Sequence, residues 1–207
     1  MQSPFVPAFD HLPTTLPIFP LEGAVVMPGA QLPLNIFEPR YLNMVQDALA
    51  SHHLIGMIQP ETQTGCAGRI SAYQETTDGR IEIVLSGVCR FDILQELATT
   101  RGYRMVVPDW SRFATDYEFP RFDKRRQQRH FFTELDHYLQ AKELEIEEAI
   151  IHKLPFARLL NVLTTLLPLH HHDKQAIIET VSFDERYKLL ISQFELAGNG
   201  SPSHMRH

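Results

Sequence analysis

The chain has 207 residues, with 19 Lys and Arg against 25 Asp and Glu, so its formal charge is −6. With 43% hydrophobic and 10% aromatic residues it can bury a real core, which excludes disorder as a whole-chain description. The acidic balance argues against a protein that wraps nucleic acid with its whole surface and leaves room only for a local basic patch.

Two cysteines, Cys66 and Cys89, are too few for a disulfide framework and read as reduced thiols. Before residue 21 the chain holds Pro4, Pro7, Pro13, Pro17 and Pro20 and no Lys or Arg, so no secretory signal is expected. The longest stretch without a formal charge, Gly23 to Phe37, is shorter than a membrane span and is broken by Pro28 and Pro33. The expectation is a soluble, cytoplasmic protein with no membrane contact.

Eight of the fourteen prolines lie at or before Pro39, so that region cannot form a long helix. Short extended segments are predicted at Leu16 to Phe19, Ala24 to Met27 and Leu32 to Phe37. Pro28-Gly29 marks a turn between the last two. A helix follows, because Tyr41, Met44, Val45, Ala48 and Leu49 form one apolar stripe and Pro39 suits its first turn. His52 and His53 end it, where imidazolium would meet the negative helix end. Leu54 to Ile58 reads as a buried strand.

Residues 69 to 107 are predicted to form a β meander. Ile81, Ile83 and Leu85 alternate with Glu82, Val84 and Ser86. Asp78-Gly79 signals a two-residue hairpin turn with both positions at positive φ. Cys89, Phe91 and Ile93 alternate with Arg90 and Asp92, and Tyr103, Met105 and Val107 with Arg104 and Val106. The N-terminal strands are expected to bring this sheet to a barrel-like shape.

After Pro120 the period becomes helical. One helix carries Phe131, Leu135 and Tyr138. A second runs from Phe156 to Leu167, with Pro155 at its start and Pro168 at its end. A third covers Lys174 to Val181 and a fourth Phe183 to Phe194, with Ser182 and Glu185 as a capping box. Gly198-Asn199-Gly200 is expected to stop the last helix. The fold class is therefore α+β by segregation: a β-rich lobe over residues 10–118, a helical lobe over 119–198, and a disordered tail at 199–207.

No Lys follows a Gly, so a Walker-type phosphate loop is excluded, and no G-x-G-x-x-G opens a helix, so dinucleotide binding is not expected. No cofactor is expected. No G-x-S-x-G elbow surrounds Ser86. Cys66, in Gly65-Cys66-Ala67-Gly68, reads as a small residue in a loop or at a strand end, and Cys89 as core. His170-His171-His172-Asp173 is conspicuous, but consecutive residues project in different directions, so no metal site is assigned. Asp173 reads instead as a helix cap. Glu147-Glu148 lie on a charged turn with nothing to raise a carboxylate pKa. No catalytic residue is assigned. A basic run at Arg121, Lys124, Arg125, Arg126 and Arg129 could meet phosphates, or could simply be a solvated helix face balanced by later glutamates.

Two stretches carry a family pattern. Leu16-Pro17-Ile18-Phe19-Pro20-Leu21 precedes Val25-Val26-Met27-Pro28-Gly29 and Leu32-Pro33-Leu34. Ile36-Phe37-Glu38-Pro39-Arg40-Tyr41 follows, with Met44 one turn on. This resembles the N-terminal domain of Lon protease, in its small stand-alone bacterial form. Gly65 to Ile70, Gly87-Val88-Cys89-Arg90-Phe91, Leu166-Leu167-Pro168-Leu169, Lys174-Gln175 and Glu185-Arg186 extend the likeness over about residues 14–195.

The resemblance implies a PUA-like β-barrel lobe followed by a C-terminal α-helical bundle, together one LON domain. In full-length Lon this domain precedes the ATPase and protease modules, helps to recognise substrate proteins and supports hexamer assembly. This chain has no Walker motif and ends before a Ser-Lys protease module could begin, so it is not expected to be an enzyme. The expected function is a non-catalytic protein- or peptide-binding module, an adaptor in protein quality control. Its partners would be unfolded or degron-bearing proteins, with self-association open, and an apolar groove between the lobes would hold them. The corner Phe37, Glu38, Pro39, Arg40 and Tyr41 is the candidate binding motif, with Arg40 free to pair with a carboxylate or loop carbonyls. The alternatives are RNA binding through the basic run, disfavoured by the −6 charge, and a small-molecule hydrolase using Cys66 or a His cluster.

Overall fold

A computed structural model describes residues 5–118, 124–147, 151 and 153–199. Six strands come first: β1 (Leu16–Pro20), β2 (Gln31–Ile36), β3 (Leu54–Ile58), β4 (Thr64–Glu75), β5 (Ile81–Leu97) and β6 (Arg104–Asp109). Helix α1 (Pro39–Leu49) stands between β2 and β3. A 3-10 segment, Ser111–Tyr117, follows β6, and then come α2 (Arg125–Ala141), α3 (Phe156–Leu166), α4 (His171–Glu179) and α5 (Phe183–Asn199). Strands then helices is the α+β order that the change of period predicts.

The strands form one mixed sheet in the order β2-β5-β4-β3-β1-β6, and β5 also pairs with β6. Among the described residues only β1 and β3 pair in parallel. Parallel pairing requires a crossover, and α1 supplies part of it. β3 is buried at every residue, as a strand covered on both faces must be.

A bulge decides which residues the middle of β5 buries. Ala67 of β4 faces Cys89, but Gly68 faces Gly87, so one residue of β5 is extra there. Before the bulge, Ile81, Ile83 and Leu85 enter a core shared with α1, Val26 and Met57. After it, Cys89 and Phe91 enter a different core with Leu16, Val106 and Phe113. The bulge thus moves Arg90 off the polar side where simple alternation puts it. Gly87 is required at this point: a Cβ would sit 2.1 Å from the carbonyl oxygen of Met27.

Arg90 is completely buried. Its Nε and Nη2 donate to both oxygens of Asp116 in the 3-10 segment, at 2.6–3.2 Å. Its backbone N–H donates to Asp116 as well, at 2.9 Å. Nη1 donates to the carbonyls of Ile178 (3.0 Å) and Thr180 (2.7 Å), which close the C-terminal end of α4. The guanidinium also lies 4.4 Å from the ring centre of Phe113. One side chain therefore ties a strand, a 3-10 turn and a helix end. Arg186 of α5 is buried nearby and reaches Asn161 at 3.5 Å. Burial and the charge of Arg90 pull its pKa down to about 10.

Ala24 to Met27 is not the strand that its buried β-branched run predicts. Val25, Val26 and Met27 are core residues, but their stretch finds its hydrogen bonds elsewhere. Met27 N donates to the Thr165 hydroxyl (3.1 Å), Asn161 Nδ2 donates to the Pro28 carbonyl (2.9 Å), and Lys174 Nζ donates to the Gly23 carbonyl (3.1 Å). Side chains of α3 and α4 take the role a neighbouring strand would have had.

Other local expectations also change. The β4–β5 turn has only Gly79 at positive φ (+82°), with Thr76 and Arg80 closing it, so it is a longer loop than a two-residue Asp-Gly turn. Residues 81–97 form a single strand where two separate alternating runs were read. His170 caps α4, and Asp173 lies in its first turn. Pro155 is the N-cap of α3 and lies just outside the helix. His52 is half-buried, and burial lowers its pKa, which favours the neutral ring over the expected imidazolium. α5 ends at Asn199, within the expected Gly198-Asn199-Gly200 stop, so Asn199 belongs to the helix and not to the tail; residues 200–207 lie outside the described residues.

The helices share a core of Phe131, Leu135, Tyr138, Leu159, Leu163, Leu190 and Phe194. Among the described residues no helix is long and apolar enough to cross a membrane.

Removing one partner of a buried ion pair typically costs about 3–5 kcal/mol, because the other charge stays buried alone. Asp116→Ala is expected to lower the unfolding free energy by about that amount in urea titrations. A loss below about 1 kcal/mol, the scale of a surface pair, would contradict the role given to this contact.

Candidate protein-binding surface

The family corner is built where β2 ends and α1 begins. Ile36 is the last residue of β2 and is buried. Glu38 is the N-cap of α1 in an extended conformation, and Pro39 occupies the first turn, where its missing N–H costs nothing. Arg40 folds back onto Glu38, with Nε and Nη2 at 3.0 and 2.8 Å from the carboxylate. Its guanidinium also lies 4.6 Å from the Tyr41 ring centre. Tyr41 is core and packs against Phe19 at 4.3 Å. Burial raises its pKa. The pair Glu38–Arg40 is exposed, so it fixes the corner more than it stabilises the fold.

Phe37 stands apart, with 62% of its surface open to solvent. Its ring lies 5.6 Å from the Arg80 guanidinium of the β4–β5 turn. Asn35, two residues before it in the chain, lines a shallow groove of about 480 Å3 over β2, β5 and β4. Register explains the groove. Pro33 pairs with Val84, and Val84 with Ala72; Asn35 pairs with Glu82, and Glu82 with Gln74. Strand alternation puts these residues on the same outer face, small or apolar at one end and polar at the other. β2 is an edge of the sheet, and Pro33 on it lacks an N–H. A proline within a strand belongs on such an edge. Tyr73 and Leu34 also line the groove.

The basic run is split from this surface. Arg121 lies outside the described residues. Lys124, Arg125, Arg126 and Arg129 are exposed at the start of α2, and Lys124 pairs with Asp184 of α5 at 3.2 Å. Arg125, Gln128, Arg129 and Phe132 line a second, open hollow. Glu147 is described, and Glu148 is not.

Cys66 lies near the start of β4 and is fully buried, a strand position and not a loop. Burial lifts its thiol pKa well above the usual range, with Asp116 adding to the rise. Cys89 is raised likewise by burial. A thiolate nucleophile is therefore disfavoured at both positions. The three histidines do gather their rings, against the expectation that they diverge.

The family model for the ATP-dependent protease La (LON) substrate-binding domain matches residues 15–194. The chain belongs to the LON substrate-binding domain family. Lon protease 2 of Myxococcus xanthus is 26% identical over 198 residues, covering 88% of this chain and 24% of that protein. Lon protease of Anaeromyxobacter dehalogenans is 26% identical over 204 residues, covering 88% and 23%. The chain thus spans about a quarter of the length of these curated relatives. Among solved structures, a Lon N-terminal domain protein from Xanthomonas campestris aligns with a TM-score of 0.63 and 24% identity, covering 86% of this chain and 98% of that one. The N-terminal domain of the Mycobacterium avium complex Lon protease aligns at 0.67 with 19% identity, covering 87% and 98%. At these identities the structures establish the Lon N-terminal fold.

A thiol-reactive reagent such as Ellman's is expected to leave both cysteines untouched in the native chain and to titrate both once denaturant is added. Fast reaction of either thiol in the native state would contradict their burial.

Proposed function

We propose that the chain is a protein-recognition module of the Lon type that binds polypeptide on the outer face of β2, β5 and β4, with Phe37 as its anchor. The observation that carries this reading is Phe37: a large aromatic side chain, exposed, two residues along the chain from the groove-lining Asn35, within the stretch that the family model matches. Exposed aromatics beside small apolar side chains suit segments that a folded protein would hide. Glu82, Gln74 and Asn35 would offer hydrogen bonds to the bound backbone. This differs from a groove between lobes, since the open apolar surface lies on the sheet itself.

The finer reading is of one LON domain with a β-rich lobe over residues 10–118 and a helical bundle over 119–198. The β5–β6 pairing, added to the strand order, supports a PUA-like barrel for the first. We place the chain in the cytoplasm, where two unlinked buried thiols are at home. Its ligands would be unfolded or degron-bearing proteins, and its action would be binding, as an adaptor, without chemistry of its own. The corner residues Glu38, Pro39, Arg40 and Tyr41 hold Phe37 in place. RNA binding at Arg125, Arg126 and Arg129 is the weaker reading, because the chain is acidic overall and Lys124 is already paired.

Fluorescence anisotropy with a reduced, carboxymethylated polypeptide tests the proposal. Phe37→Ser is expected to weaken binding about tenfold or more, in line with loss of an aromatic anchor, and to leave thermal stability nearly unchanged because the side chain is exposed. Equal affinity for parent and variant would sink the site. Binding of a structured RNA that falls steeply with added salt, with no polypeptide binding, would favour the other reading.

A further inference from the structure

Three adjacent histidines are expected to point apart, and in this fold they do not. His170 precedes α4 and caps it, its Nδ1 accepting from the backbone N–H of His172 at 3.4 Å. His171 and His172 open the helix. Their ring centres stand 4.2 Å apart for His170 and His171, 4.1 Å for His171 and His172, and 5.2 Å for His170 and His172. One ring nitrogen from each lies within 4.8 Å of the others. A carboxylate lies beside one of them: Glu22 Oε1 is 3.8 Å from His171 Nδ1.

The backbone beneath this cluster is anchored. The carbonyl of His171 accepts from the buried Gln59 side chain at 2.9 Å, and Gln59 also bonds Gln175 at 3.0 Å and Gly23 N at 3.1 Å. The same glutamine therefore holds both segments that supply the four side chains.

We propose that His170, His171, His172 and Glu22 form a binding site for a divalent transition-metal ion of the zinc class. Zinc takes imidazole nitrogens at about 2.0–2.1 Å in a tetrahedron, which sets ligand nitrogens about 3.4 Å apart. Rotamer changes of His170 and His172, both exposed, close the remaining distance without moving the backbone. On binding, His170 gives up its long 3.4 Å cap contact, and one of its ring nitrogens turns to the ion. Three imidazoles and one carboxylate suit zinc, nickel or copper, and not calcium or magnesium, which take oxygen. The positive end of α4 opposes a cation, and the carboxylates of Glu22 and of Asp173 in the first turn offset it. A bound ion would staple the segment after β1 to the start of α4. This site is separate from the recognition surface and does not depend on it.

Calorimetric titration of zinc chloride into the full chain tests the proposal, with cobalt absorption spectra as a second readout. The expected result is one ion per chain and the intense visible bands of tetrahedral cobalt. His171→Ala and His172→Ala should each weaken zinc at least about tenfold, and so should Glu22→Gln, an exposed change that leaves the fold intact. Replacing His204 and His207 by alanine should leave affinity unchanged. Absence of binding, full affinity in either histidine variant, or loss of binding only on replacing His204 and His207 would overturn the site.

Discussion

The contact between Arg90 and Asp116 is the constraint on which the rest of the structure depends. A guanidinium buried this completely is costly unless its donors are used. Here Nε and Nη2 meet a carboxylate and Nη1 meets two carbonyls. The carbonyls belong to the end of α4, where a helix carries partial negative charge. The pair thus sets how the helical part meets the sheet. Gln59, Gln175 and Lys174 add hydrogen bonds between the same helix and residues before it in the chain, Gly23, Gln59 and Thr64. Ile178 of α4 packs into the sheet's own core. The outer face of β2, β5 and β4 therefore rests on a support pinned from behind, which suits a surface that must present fixed side chains.

Much of this fold is readable in the sequence, because its strong signals are periodic. The apolar stripe from Tyr41 to Leu49 gives α1, and the stripes on Phe131 and Phe156 give α2 and α3. The failures share one cause: hydrogen bonds and register that come from distant residues. Val25 and Val26 look like strand residues, yet Thr165, Asn161 and Lys174 take the backbone of their segment. Arg90 looks solvent-facing because alternation runs unbroken through Cys89 and Phe91. The bulge at Gly87 and Val88 shifts the phase, and its trace in the sequence is the glycine itself. Cys66 looks like a loop residue because glycines flank it. Those glycines are instead close-packing positions: at Gly65 a Cβ would lie 2.4 Å from the Met57 carbonyl oxygen.

The proposed binding surface is half visible in the sequence. Its motif, Phe37 to Tyr41, is written in consecutive residues, and Glu38 and Arg40 pair as their charges suggest. The groove beside it is assembled from β2, β4 and β5, whose registers bring Pro33, Val84 and Ala72 into line. Nothing local in the sequence announces that alignment. The histidine cluster shows the same limit from the other side. Its residues are obvious, but only the cap at His170 and the anchored carbonyl of His171 turn their rings together.

The most direct measurement is hydrogen–deuterium exchange of the full chain with and without a saturating unfolded polypeptide. The account predicts slowed exchange across residues 31–37 and 72–84 on binding, and unchanged exchange across 125–132. Protection confined to the start of α2, or spread evenly over the helices with none on β2, would contradict it.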